Sequence, residues 1–223
     1  MENQIKLIEH LSKFVSEERI KLFEKKINQR TKNISIVLED IYQARNISAV
    51  MRSADFFGIQ DLHIIENRNK FISDRKVDLG SEKWLNIIRY GKKENNTKQC
   101  LTKLKKNGYQ IIATSPHKTK NTLENIKIKD KVAILFGTEL HGLSKEAIKL
   151  SDETIRIKTY GFTESLNISA SAAICMYHLR NIINKKISPK TSNKERQDIM
   201  IKWLRNSIKS SKEIEKDFYK NIV

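Results

Sequence analysis

Three short stretches of the sequence gather the residue types from which a polar site can be built. The first is Leu38-Glu39-Asp40-Ile41-Tyr42-Gln43-Ala44-Arg45-Asn46, with Arg52 and Ser53 a little further on. The second is Gly137-Thr138-Glu139-Leu140-His141-Gly142-Leu143-Ser144, and the third is Ser165-Leu166-Asn167-Ile168-Ser169, ahead of Ala170, Ser171, Ala172 and Ala173. Amides, hydroxyls and a carboxylate between two glycines supply hydrogen-bonding groups, and arginine supplies a permanent charge. Asn46 is placed to cap the helix that follows. Arg52 comes six residues later, about 1.7 turns on, and so does not share the face of Asn46. Gly137 and Gly142 permit turns that other residues resist, and Ser144 can satisfy the first amides of a helix. The small residues after Ser169 allow close approach of a ligand or another backbone. Each stretch also has an ordinary reading: a helix cap beside a solvated arginine, a strand-to-helix turn, and a polar cap on a tightly packed helix.

Several chemistries find no support. No GxGxxG follows the first strand, and seven glycines are too sparse for a phosphate-cradling loop. This argues against a nicotinamide enzyme, an ATPase and an ordinary Rossmann methyltransferase. Cys100 and Cys175 are far apart and form no CxxC pair, which argues against a disulfide framework or a thiolate zinc site. The histidines (His10, His63, His117, His141, His178) show no metal-ligand spacing, so a chain without metal is expected.

The stretches must be positioned by regular elements. Residues 34–38, 62–65, 109–114, 132–136 and 153–157 are short apolar, β-branched runs that predict strands, and 87–90 predicts an edge strand. Helical patterns cover 47–57, closing at Gly58, and 96–107, closing at Gly108. Further helices are predicted from Ser144 to Leu150 and over 166–183, whereas 66–84 is polar and irregular. Strands alternating with helices predict an α/β domain with a largely parallel sheet, in which ligands bind beyond the carboxyl ends of the strands. All three stretches follow strands. Residues 4–31 read as helices, the second started by Ser16 with Glu17 and Glu18, and 191–223 are helical with Met200, Trp203, Leu204 and Ile208 on one face. The expected plan is an N-terminal helical arm (1–32), an α/β core (33–187) and a C-terminal helical arm (188–223).

With 43 Lys and Arg against 26 Asp and Glu, the 223-residue chain carries a formal charge of +17. A charge of this size suits a polyanion, and nucleic acid is the usual one. The abundance of Lys, Asn and Ile also fits plain compositional drift. No stretch approaches the ~20 apolar residues of a membrane helix, and the N-terminus lacks the apolar centre of a signal peptide. A cytoplasmic chain with no membrane association is therefore expected.

Taken together and in order, the three stretches resemble the three motifs of the SpoU family of RNA ribose methyltransferases, within the SPOUT superfamily. Motif one matches as Asn46-Ile47-Ser48-Ala49-Val50-Met51-Arg52 with Gly58 following. Motif two matches as Phe136-Gly137-Thr138-Glu139-Leu140-His141-Gly142-Leu143-Ser144, and motif three as Ser165-Leu166-Asn167-Ile168-Ser169. Short arms with no separate N-terminal RNA-binding domain resemble the branch that methylates a guanosine ribose in the tRNA D-loop. The resemblance implies a homodimer, a trefoil knot near the C-terminal end of the core, and S-adenosylmethionine bound in that knot. It implies cofactor contacts from Thr114, Gly137, Ile157 and Leu166, largely through backbone groups. Arg52 becomes the catalytic residue, with Asn46, Glu139, Ser165 and Asn167 completing the pocket. Lys21, Lys25, Lys26, Arg30, Lys202 and Arg205 on the arms become candidates for gripping the tRNA backbone, or else line solvated helix faces. The family pattern usually has proline where this chain has Lys158, and a lysine there can face RNA phosphate. Ala44-Arg45 also replaces a more usual pair before Asn46. The same chemistry on ribosomal RNA or on the tRNA wobble nucleotide, and a non-catalytic RNA-binding knot protein, are the alternatives.

Overall fold

The structure is a computed structural model that describes residues 2–92, 94–116, 119, 121–186 and 191–220. The chain divides into two compact units, Lys32–Ser188 and a second made of Met1–Thr31 with Pro189–Val223.

The larger unit holds a six-stranded parallel sheet. Its strands are β1 (Thr31–Glu39), β2 (Ile59–Ile65), β3 (Asn86–Tyr90), β4 (Gln110–Thr114), β5 (Val132–Phe136) and β6 (Glu153–Ile155), in the order β3-β2-β1-β5-β4-β6. The long helices of this unit are α3 (Ala44–Phe56), α5 (Asn96–Lys106) and α7 (Ile168–Lys186), with the shorter α4 (Arg75–Asp78) and α6 (Lys145–Leu150). Side chains alternate across each strand. Ile34, Ile36 and Leu38 of β1, with Val132, Ile134 and Phe136 of β5, enter the apolar layer that contains Val50 and Met51 of α3 and Met176 and Leu179 of α7. Val37, Ala133 and Leu135 point the other way, to Leu101 and Leu104 of α5 and Ala147 of α6. Both faces are covered, which is why these strands read as unbroken apolar runs rather than alternating ones. α3 and α5 are followed by Gly58 and Gly108 with left-handed backbone, φ 68° and 80°.

Residues 66–84, polar and without period, are not wholly irregular. Asp74 caps the single turn of α4 through the Lys76 amide, and a 3-10 turn follows at Ser81–Lys83. Turns this short carry too few residues for a helical period to register.

The smaller unit contains α1 (Glu2–Ser12), α2 (Glu17–Ile27), α8 (Asn193–Ser207) and α9 (Ser211–Lys220). Ser16 caps α2 by accepting from the Arg19 amide. The two terminal segments pack on each other: α1 lies against α8 and α9, and α2 against α8. Trp203, 2 % exposed, meets Phe23 edge-on at 5.4 Å and lies under the Arg30 guanidinium at 5.0 Å. The side chain of Gln4 donates to Asp198 at 2.9 Å.

Candidate active site

β1 and β5 are neighbours, and the register Leu38↔Phe136 brings their carboxyl ends level. The strand order reverses between them, the place where open parallel sheets hold ligands. The loop leaving β1 leads into α3, and the loop leaving β5 leads into α6. The loop leaving β6 leads into α7, which packs on α3.

Asn46 does not cap α3, as the sequence suggested. The helix begins at Ala44, with Gln43 in the cap position making no side-chain cap bond. Ala and Arg are good helix formers and extend the helix by a turn, so that Asn46 lies in its first turn with its amide bonded to the Gln43 carbonyl at 3.0 Å. Its side chain is thereby free for other work. The Asn46 Nδ2 donates to Gln43 Oε1 at 3.1 Å and to the Glu139 carboxylate, and its Oδ1 accepts from Asn167 Nδ2 at 3.1 Å. Asn167 Oδ1 in turn accepts from the Ser169 amide at 2.9 Å and from the Ser169 hydroxyl, covering the first turn of α7. One chain of hydrogen bonds thus ties the three sequence stretches together. Asn46 is 7 % exposed, with both ends of its amide used, the arrangement that makes a buried polar group stabilising rather than costly.

Glu39 has no place in the sequence-based site, yet it anchors this edge. It closes β1 at 2 % exposure. Its Oε2 accepts from the Ser144 amide at 2.8 Å, and its Oε1 from the Ser144 hydroxyl at 2.8 Å and the Thr97 hydroxyl at 2.6 Å. Ser144 Oγ also accepts from the Ala147 amide, the cap of α6, and Thr97 Oγ1 accepts from the Asn67 amide group. Each hydroxyl proton is therefore directed at Glu39. The available signal was an acidic residue closing an apolar run, since a buried charge is rarely incidental. Between β5 and Ser144 the chain makes a tight turn closed by Thr138 and Gly142, whose backbones bond at 2.9 and 3.1 Å. A Cβ on Gly137 would overlap the backbone of Gly142, so glycine is required there.

Beside this network lies a cleft of about 760 Å³. Thr114, Gly137, Ile157 and Leu166 all line it, together with Glu139 and Ser165. Asn46 and Asn167 join it through their bonds to Glu139 and to each other. Arg52 is not brought in. It stands exposed on α3, outside the cleft lining, with no ion pair among the described residues. Cys175 also lines the cleft, and burial pushes its thiol up to about 12, so it keeps its proton and is a poor nucleophile. Among the described residues there is no group of His, Cys, Asp or Glu able to hold a metal, and no helix long and apolar enough to cross a membrane.

The profile of the SpoU rRNA Methylase family matches residues 33–177, the span that carries the sheet and all three stretches. The chain belongs to this family. Among SpoU relatives, the tRNA (guanosine(18)-2'-O)-methyltransferase of Borreliella burgdorferi is 40 % identical over 212 residues, 95 % of either chain. The enzyme of the same name from Aquifex aeolicus is 28 % identical over 193 residues, covering 85 % of this chain and 90 % of its own. The crystal structure of the A. aeolicus TrmH/SpoU tRNA modifying enzyme superposes with a TM-score of 0.77 at 27 % identity, covering 86 % of this chain and 98 % of the other. The SpoU match ends within α7, so α8 and α9 lie outside it, whereas the B. burgdorferi relative extends over nearly the whole length.

Proposed function

We propose that this chain transfers the methyl group of S-adenosylmethionine to the ribose 2′-hydroxyl of guanosine 18 in the D-loop of tRNA. The observation that carries this reading is the hydrogen-bonded convergence of Asn46, Glu139 and Asn167 beside the cleft, in a chain 40 % identical over its length to a relative of that activity. S-adenosylmethionine supplies an electrophilic methyl group on a sulfonium. The cleft suits it on three counts. Its volume of about 760 Å³ falls in the range of nucleotide-sized pockets. Phe136, Ile155 and Ile168 offer apolar walls, and Glu139 offers a carboxylate to a cationic ligand. Thr114, Gly137, Ile157 and Leu166 hold the cofactor, largely through backbone groups.

Ser165 and Asn167 orient the ribose, and the network through Asn46 holds Glu139 and Asn167 in fixed relation. By holding the ribose hydroxyl toward the methyl donor, these residues would supply much of the acceleration. A guanidinium is a permanent cation with five donors and no acceptor, so Arg52 does not act as a base. It grips a substrate phosphate with its planar fork and stabilises charge developing on the ribose oxygen, while the proton leaves to phosphate or water.

The unit that acts is a homodimer in the cytoplasm, with residues 33–187 as the methyltransferase domain and 1–32 and 188–223 as helical arms on tRNA. Three exposed apolar side chains support the dimer: Phe56 of α3 at 81 %, and Tyr177 and Ile174 of α7 at 61 % and 40 %. Arg52 lies one turn before Phe56 on the same helix face, so a second copy covering that face also encloses Arg52. A trefoil knot near the C-terminal end of the core follows from the family resemblance, with the chain passing from the edge strand β6 back to α3. The test is a tRNA transcript carrying 2′-deoxyguanosine at position 18. It accepts no methyl group if the reading holds, and undiminished transfer to it overturns the reading.

A further inference from the structure

We infer that Lys158 and Tyr160, on the loop between β6 and α7, form a subsite for a nucleotide of the substrate RNA, with the Tyr160 ring stacking on a base and the Lys158 ammonium meeting a phosphate. The inference rests on the methyltransferase reading above and adds to it how the substrate is gripped. Both side chains line the cleft that also holds Glu139 and Ser165. Tyr160 is 87 % exposed, so its ring is available to a ligand. The Lys158 ammonium lies 4.9 Å from the centroid of that ring, close enough for a cation–π contact. Among the described residues no carboxylate lies within ion-pair distance of it, and the carboxylate that feels its charge is Glu124, beyond that distance. The ammonium occupies one face of the ring and leaves the other open, so lysine, ring and base stack in sequence.

Chemistry favours RNA as the occupant. A ribose reaches a methyl donor in a cleft only if its nucleotide leaves the stack of the folded RNA, and aromatic side chains make good the stacking that is lost. Charge points the same way. S-adenosylmethionine carries two cationic centres against one carboxylate, so an adjacent lysine repels it, whereas each nucleotide brings a phosphate that a lysine attracts. The subsite is anchored rather than adrift. The Thr159 hydroxyl donates to the Thr163 carbonyl at 3.2 Å, and Asn167 ties the far end of the loop to Asn46. Lys158 also stands where the family pattern usually has proline, so this half of the pair belongs to this chain rather than to the motif.

The experiment measures three quantities on the full chain: KM for unmodified tRNA transcript in methyl transfer, the affinity for S-adenosylmethionine alone by calorimetry, and oligomeric state by light scattering. Tyr160→Leu is expected to raise the tRNA KM by roughly 5- to 150-fold, the range supplied by base–aromatic stacking, with cofactor affinity and oligomeric state unchanged. Tyr160→Phe keeps the ring and reduces that loss to about twofold. Lys158→Ala is expected to lower the salt slope of tRNA binding by about 1, as the loss of one phosphate contact requires. An unchanged tRNA KM in Tyr160→Leu overturns the subsite. So does an equal loss of cofactor affinity, which assigns the ring to the cofactor, or a change in oligomeric state, which assigns it to a second copy. A wild-type chain that methylates no tRNA overturns the underlying reading instead, and is told apart because it fails before any variant is made.

Discussion

Two parts of one sheet edge are built in opposite ways. The loops after β1 and β5 are held from below by the buried Glu39 and from the side by Asn46. The loop after β6 is exposed at every residue from Lys158 to Asn167 and is held by the Thr159–Thr163 bond and by Asn167. A low-dielectric, fully bonded network fixes distances, whereas an exposed loop with few buried contacts is the segment that adapts to a ligand. Under the proposed function the difference separates the labour: the β1–β5 edge sets reaction geometry, and the β6 loop meets the substrate.

The comparison can be broken by substitution. The largest effect is expected from Arg52→Ala, which should lower turnover by about 10²–10³ if Arg52 stabilises transition-state charge, with the circular dichroism spectrum unchanged because Arg52 makes no ion pair within the described residues of its own chain. A variant with wild-type turnover removes Arg52 from the mechanism, and an Arg52→Lys variant with full activity removes the bidentate grip. Next comes Glu39→Ala, which orphans the Ser144 amide and two hydroxyls. A loss of about 3 kcal/mol in urea unfolding is expected, and a loss below about 0.5 kcal/mol would show that the edge is not held from below.

A buried cluster remote from the cleft sharpens the contrast, because polar burial there has no partner in the reaction. His63 Nδ1 lies 3.0 Å from the Tyr90 hydroxyl. Burial, with the Lys103 charge second, lowers the His63 pKa from 6.5 to about 4. The unfolded chain therefore binds more protons than the folded one between these values. The stability contributed by neutral His63 is complete above about pH 6.5 and is lost as pH falls toward 4, to a total of roughly 3 kcal/mol. Urea unfolding across that window checks this, and a His63→Leu variant should lack that part of the acid dependence. The smallest effect is expected from Ser144→Ala, about 1 kcal/mol for a helix cap, read as a fall in melting temperature.

Much of this was legible in the sequence. Strands buried on both faces announce themselves as β-branched runs, and β5 spans the same residues in the structure as in the pattern. Ser16 and Ser144 cap helices as their positions implied. Thr114, Gly137, Ile157 and Leu166, far apart in the sequence, line one cleft. Local pattern read Asn46 as a cap, and only the family resemblance grouped it with Glu139 and Asn167, because these partners lie 93 and 121 residues away. Glu39 was missed for the same reason, since its partner Ser144 is 105 residues distant. The packing of α1 on α8 joins the two ends of the chain, and no periodic pattern reports pairing at that separation. Local signals reveal elements, while contacts that close over long stretches appear only in the fold.

The central claim is tested most directly by incubating the protein with S-adenosylmethionine labelled in its methyl group and an unmodified tRNA transcript, then mapping the labelled nucleotide. The account predicts label on the ribose of guanosine 18 and nowhere on a base. Absence of label, or label on a base, would contradict it.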